Sequence, residues 1–160
     1  MQGVRPIERR DPPPRKRTVE IKPREDACEE LFASGKWQIV GNLQADHIEA
    51  SHPSISQAVM RKLRAGQFSV RAECDLHGLT QKGARETLIR FVEDAARRRL
   101  GCVRVIHGKG NNSLRNTPVL KTAVQIWLGE KRLSRYVLAY CSARPCDGGT
   151  GAVYVLVRKA

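Results

Sequence analysis

From Arg71 onward apolar and polar positions alternate, with Ala72, Cys74 and Leu76 set against Glu73, Asp75 and His77. That two-residue period is the signature of a strand with one buried face. Gly78 breaks the run, and Thr80 stands where a helix N-cap belongs. Beyond it Ala84, Leu88, Phe91, Val92 and Ala95 recur at helical spacing, with Gly101 as the expected stop. Cys102-Val103-Arg104-Val105-Ile106 predicts a second strand, and Thr117 and Pro118 are placed to cap and open a second helix. The apolar face of that helix is Leu120, Val124, Trp127 and Leu128, and Gly129 ends it. Two last strands are predicted at Tyr136-Val137-Leu138-Ala139-Tyr140 and Ala152-Val153-Tyr154-Val155-Leu156-Val157.

The order β-α-β-α-β-β predicts an α/β fold, a two-layer sandwich of a small mixed sheet and two helices. The right-handed crossover rule sets the first three strands parallel. The last strand follows a loop too short for a helix, so it is expected to run antiparallel.

Upstream the pattern weakens. Residues 1–27 combine Pro12-Pro13-Pro14 and Arg15-Lys16-Arg17 with few bulky apolar side chains, which predicts a disordered, basic, Pro-rich arm. Residues 28–70 read as a partly helical extension. Glu29-Glu30-Leu31-Phe32 suits one helical turn, and Trp37, Ile39 and Val40 need cover. A short helix is expected from Ser54, with Pro53 before it, Ile55, Met60 and Leu63 near one face and Gly66 at its end. Residues 71–160 form the main folded domain.

Charge changes the picture more than composition does. The 160 residues carry 29 Lys and Arg against 16 Asp and Glu, a net charge of +13. Residues 1–70 hold 12 basic and 9 acidic side chains, and residues 71–160 hold 17 and 7, so the excess belongs to the folded part. A basic folded domain fits a phosphate-backbone partner, RNA or DNA, better than a merely solvated surface. No run is apolar enough to span a bilayer and the N-terminus lacks a signal-peptide core, so no membrane partner and a cytoplasmic location are expected. Five cysteines without a CxxC pair (Cys28, Cys74, Cys102, Cys141 and Cys146) argue for a reducing compartment and against a disulfide framework or a metal site. His47 and His52 read as surface residues, and no small-molecule cofactor is expected.

Asp75-Leu76-His77-Gly78 and His107-Gly108-Lys109-Gly110 both stand where a strand ends and the path to a helix begins. The carboxyl ends of parallel strands are where ligand crevices form in open α/β sheets. Asp75 and His77 share a strand face, and a carboxylate beside an imidazole fixes its tautomer for acid–base work. His107 is the candidate second proton-transfer group or phosphate ligand, and Lys109 the candidate to stabilise charge on a pentavalent phosphorus. Gly78, Gly108 and Gly110 permit tight turns with backbone N–H groups open to phosphate, and Gly148-Gly149-Thr150-Gly151 offers a further nest.

These motifs carry a resemblance. Asp75-Leu76-His77-Gly78, His107-Gly108-Lys109-Gly110, the helix Pro118-Val119-Leu120-Lys121 through Trp127-Leu128, and Gly148-Gly149-Thr150-Gly151-Ala152-Val153 occur in the order found in the small MutS-related (Smr) domain. The similarity covers about residues 72–158, making 71–160 an Smr domain, and Lys62-Leu63-Arg64-Ala65-Gly66 resembles stand-alone bacterial members. It implies a fold similar to the C-terminal domain of translation initiation factor 3 and an endonuclease that nicks DNA or cuts RNA, including mRNA on stalled ribosomes. The family's cleavage and binding motifs fall on Asp75, His77, His107, Gly108 and Gly110. Cys74 departs from the Leu that many members carry before the Asp, a change compatible with burial.

Two-metal hydrolysis needs several convergent carboxylates, and only Asp75, Glu73 and Asp147 offer themselves. RNA brings its own nucleophile in the 2′-hydroxyl. The expectation is therefore RNA cleavage by His-based chemistry, with His77 as base and His107 as acid or phosphate ligand. DNA nicking assisted by a divalent cation through Asp75, and a non-catalytic module that binds RNA or the ribosome, are the alternatives. Aromatic residues make up 5% of the chain and none clusters near the motifs, which favours backbone recognition over base stacking.

Overall fold

A computed structural model describes residues 37–40, 45–109 and 119–159. The arm at 1–27, the turn at Glu29–Phe32, Cys28, Gly110 and the cap formed by Thr117 and Pro118 lie outside the described residues. In chain order the elements are β1 (Gln38–Val40), β2 (Glu49–Ser51), α1 (Gln57–Arg64), β3 (Val70–Asp75), α2 (Gln81–Arg97) and β4 (Cys102–Ile106). There follow α3 (Val119–Gly129), α4 (Lys131–Ser134), β5 (Val137–Ser142) and β6 (Ala152–Val157), with two 3-10 turns, Pro145–Asp147 and Gly149–Gly151, between the last strands.

The six strands form one sheet in the order β1-β2-β5-β6-β4-β3. β3 and β4 pair in parallel. β6 runs antiparallel to both β4 and β5, so β3, β4 and β5 point the same way, as the crossover rule required, and β6 is inserted between β4 and β5. Residues 28–70 contribute the helix α1 and also two short strands, β1 and β2, which widen the sheet beyond β5.

The pleat divides the side chains into two layers of core. Ala72, Cys74, Val103, Val105, Val153 and Val155 face Leu88, Phe91, Val92, Val124 and Leu128 of α2 and α3. Cys102, Ala139, Cys141, Ala152 and Tyr154 face the other way and are covered by Met60 and Leu63 of α1. The sheet-and-helix pair predicted from residues 71–160 thus gains a third layer from upstream. Trp37 is covered too, tilted against Tyr140 at 6.3 Å and edge-on to His52 at 6.4 Å.

Caps set the ends of the helices. Ser56 accepts from the N–H of Val59 at 3.2 Å at the start of α1, two residues later than Ser54 suggested. Thr80 accepts from the N–H of Gly83 at 3.1 Å and opens α2. The end of α2 differs from expectation. Arg99, at φ 56°, takes the left-handed position, and the N–H of Leu100 reaches the carbonyl of Ala95 at 3.0 Å. This 6→1 closure is usually completed by glycine; here Gly101, two residues later, only redirects the chain into β4.

Candidate nucleic-acid interface

Strand register assembles the site. Asp75 lies beside Ile106, and Ile106 beside Ala152, so the carboxyl ends of β3 and β4 and the start of β6 form one rim. The turns that leave this rim are tied together. The N–H groups of His107 and Gly108 both donate to the carbonyl of Gly151, each at 3.0 Å. A side-chain carbon at Gly108 would stand 3.4 Å from Cβ of His77, and one at Gly151 would stand 3.0 Å from Cγ of Lys109. His77, Gly108, Lys109 and Gly151 are therefore neighbours, as the two strand-end motifs predicted.

Asp75 and His77 make a dyad. Asp75 Oδ1 accepts from both the backbone N–H and Nδ1 of His77, the former at 3.1 Å. With Nδ1 committed to the carboxylate, Nε2 is the ring nitrogen left for an outside partner. The imidazole side chain is 68% exposed, so that nitrogen is open to solvent and to whatever binds at the rim. Gly78, at φ 76° with no atom within 4 Å of a hypothetical Cβ, turns the chain away.

The backbone of His107 is part of this rim but its side chain turns inward, which speaks against the expectation that it acts as acid or phosphate ligand. Carried one step past β4, the strand period groups it with Val103 and Val105, and it is 3% exposed. Its Nδ1–H donates to the carbonyl of Gly108 at 2.8 Å, while Nε2 is buried with no hydrogen-bond partner among the described residues. Burial, reinforced by the nearby Lys121 charge, lowers its pKa to about 4. A neutral, enclosed imidazole supports the Gly108 turn but cannot deliver a proton to a bound strand.

Below the rim, on the same face as Asp75, lies a polar network. Arg104 stands between Glu73 and Tyr154 in register. Its guanidinium bonds the Glu73 carboxylate and reaches Asp147 Oδ1 at 3.6 Å and the Asp147 carbonyl at 3.3 Å. Tyr154 donates its hydroxyl to Asp147, which also receives Arg144 at 3.4 Å. The Tyr154 bond, with Arg144 and Arg104 behind it, holds the Asp147 carboxyl below its ordinary range. The network anchors Pro145–Asp147 and hence the glycine turn. Arg104, Arg144 and Tyr154 were not singled out from sequence, although Arg104 and Tyr154 occupy alternating positions on the face of Glu73.

Gly148, at φ 112°, and Gly149, at φ 56°, bend the turn so that it delivers the Gly151 carbonyl to His107 and Gly108. Thr150 is exposed at its outer edge. A Cβ at Gly148 would come within 2.9 Å of Cβ of Ala152. Gly148→Ala should cost on the order of 2 kcal/mol in urea unfolding. Gly78→Ala, which meets only the backbone penalty, should cost about half that.

Among the described residues no three of His, Cys, Asp and Glu are placed to hold a metal together. Cys74, Cys102 and Cys141 are buried, which raises their pKa values to about 12, 11 and 12, and Cys146 is exposed. His47 is exposed near Glu49 at 3.8 Å, and His52 bonds Ser54. Among the described residues no helix is long and apolar enough to cross a membrane.

Comparison with known proteins agrees with this geometry. The Smr domain model matches residues 74–158, which takes in both strand-end motifs and the glycine turn. The chain is 32% identical over 112 residues to the Escherichia coli protein named probable DNA endonuclease SmrA, spanning 70% of this chain and 58% of that protein's length. It is 30% identical over 149 residues to the ribosome rescue factor SmrB of Escherichia fergusonii, spanning 91% of this chain and 76% of the relative. The crystal structure of YdaL, a stand-alone small MutS-related protein from Escherichia coli, superimposes with a TM-score of 0.61 at 32% identity, covering 73% of this chain and 86% of YdaL. With more than half of its residues matched by the family model, and the two strand-end motifs and the glycine turn brought together on one sheet rim, the chain belongs to the Smr domain family.

Proposed function

We propose that this protein is an RNA endonuclease in which His77 acts as general base and Asp75 holds it in the productive tautomer. The observation that carries the reading is the exposed imidazole whose Nδ1–H is bound by Asp75. In the reaction Nε2 of His77 takes the proton of a 2′-hydroxyl, and the freed oxygen attacks the adjacent phosphorus. The P–O5′ bond breaks, leaving a 2′,3′-cyclic phosphate and a 5′-hydroxyl protonated from solvent, since His107 is enclosed. Lys109, exposed at the rim, is the group that would stabilise charge on the phosphorus oxygens, because the N–H groups of Gly108, Gly149 and Gly151 already donate to backbone carbonyls. Glu73 and Asp147 are engaged by Arg104, so the carboxylates that a metal-assisted route would recruit already have partners.

The relatives named ribosome rescue factor support mRNA on the ribosome as the setting, and with it the cytoplasm. The relative named probable DNA endonuclease supports the alternative of DNA nicking assisted by a divalent cation. Matched single-stranded RNA, duplex DNA and supercoiled plasmid, each incubated with and without EDTA, separate the two. Cleavage of RNA that survives EDTA is the expected result. Plasmid nicking that EDTA abolishes, with RNA left intact, would overturn the proposal in favour of DNA. Tight binding without cleavage of any substrate, ribosome-bound mRNA included, would leave a binding module.

A further inference from the structure

The opposite end of the sheet carries a second concentration of charge. There the C-terminus of α2, the start of β4, the end of β6 and the start of β5 meet. The N–H of Val157 donates to the carbonyl of Gly101, and that of Arg158 to the carbonyl of Tyr136. These bonds draw together Arg97, Arg98 and Arg99 from the end of α2, Arg135 from the turn before β5, and Arg158 and Lys159 beyond β6. Asp94 is the acid beside them and is already within 3.9 Å of Arg97 and 3.6 Å of Arg98. Arg99, Arg135, Arg158 and Lys159 are exposed, and among the described residues none has a carboxylate partner. Elsewhere on the α2–α4 surface two of the arginines are paired, Arg85 with Glu130 and Arg132 with Glu93.

Arg99 adds a separate sign. It occupies the left-handed position that closes α2, the one non-glycine residue at positive φ among the described residues. Glycine serves that position better. Strain kept at such a position points to a use for the side chain.

We propose that this pole is a second contact for the phosphate backbone of a structured RNA, engaged while the strand to be cut lies at the His77 rim. The inference rests on the proposed RNA substrate and extends it. β6 has six residues between the two poles, a span of about 20 Å at the rise of a strand. A short single-stranded RNA at the rim does not reach the far pole, whereas a folded RNA does.

The test uses the full chain with a 20-base-pair RNA hairpin and a four-nucleotide RNA. Binding is measured as a function of salt, and cleavage alongside it. Arg99→Gly with Arg158→Gln should lower hairpin affinity on the order of tenfold and flatten the slope of log K against log salt by about two. Binding of the four-nucleotide RNA and kcat should not change. The thermal midpoint should hold or rise, because a glycine in the left-handed position relieves the backbone, which rules out misfolding as the cause. Arg90→Gln, which removes a cation from the middle of α2, should leave hairpin affinity unchanged. Equal hairpin affinity and slope in wild type and the paired variant would overturn the proposal even if cleavage is intact. So would loss of binding to phosphatidylglycerol vesicles with hairpin binding retained. If no RNA is cut at all, the salt slope still decides this contact separately from the nuclease reading.

Discussion

His77→Ala should lower kcat for RNA cleavage by about 10²–10⁴-fold, the range for loss of a general base. The side chain is 68% exposed and its bonds are local to Asp75, so the fold should not notice, and the thermal midpoint should stay within a degree or two. RNA affinity should also hold, because a general base acts on the hydroxyl proton in the transition state rather than on the bound phosphates. Asp75→Asn should fall into the same range, for it removes the charge that stabilises the imidazolium once the proton has moved. Single-turnover kinetics with a filter-binding control reads both quantities. A variant with full kcat would remove His77 from the chemistry, and one with lost affinity would make it a binding residue instead.

The second large effect is on stability, and it belongs to His107. Its pKa is near 4 in the folded protein and near 6.5 when the chain is unfolded. Between those values the unfolded chain takes up a proton that the folded protein does not, so acid favours unfolding. Above pH 6.5 the penalty is absent. It grows as pH falls and levels off near pH 4, where it reaches about 3 kcal/mol. His107→Gln keeps a hydrogen-bond donor and cannot titrate, so it should flatten the urea-denaturation profile across this window while costing some stability at neutral pH. An unchanged acid limb in the variant would place His107 in contact with solvent.

How much of this was legible in the residues follows from the range of each signal. The strands β3 to β6 and the helices α2 and α3 announce themselves through local periodicity, and Thr80 through the chemistry of an N-cap. Which strands become neighbours is a long-range fact. Nothing in the pattern of Ala152–Val157 says that it enters between β4 and β5, and that insertion is what puts Tyr154 beside Arg104. β1 and β2, at three residues each, are too short to show a period. The Asp75–His77 pair is readable because it needs only a spacing of two residues, although His77 lies in the turn after β3 and meets Asp75 through that turn rather than across a strand face. The burial of His107 was readable from the strand's own alternation, since it shares parity with Val103 and Val105, but its place in a motif beside Gly108 and Lys109 drew it into the site. The Arg104 network needed both parity and strand order, and only the first is written locally.

Central to the proposed reaction is a nucleophile that the substrate supplies through its own 2′-hydroxyl, with His77 as base. The most direct measurement is cleavage of an RNA carrying a single 2′-deoxy nucleotide at the cut position, with the product ends identified by mass spectrometry. The modified RNA should not be cut there, and the unmodified RNA should yield a 2′,3′-cyclic phosphate and a 5′-hydroxyl. Cleavage of the deoxy substrate at an undiminished rate, with 5′-phosphate and 3′-hydroxyl ends, would contradict this chemistry and assign the attack to water.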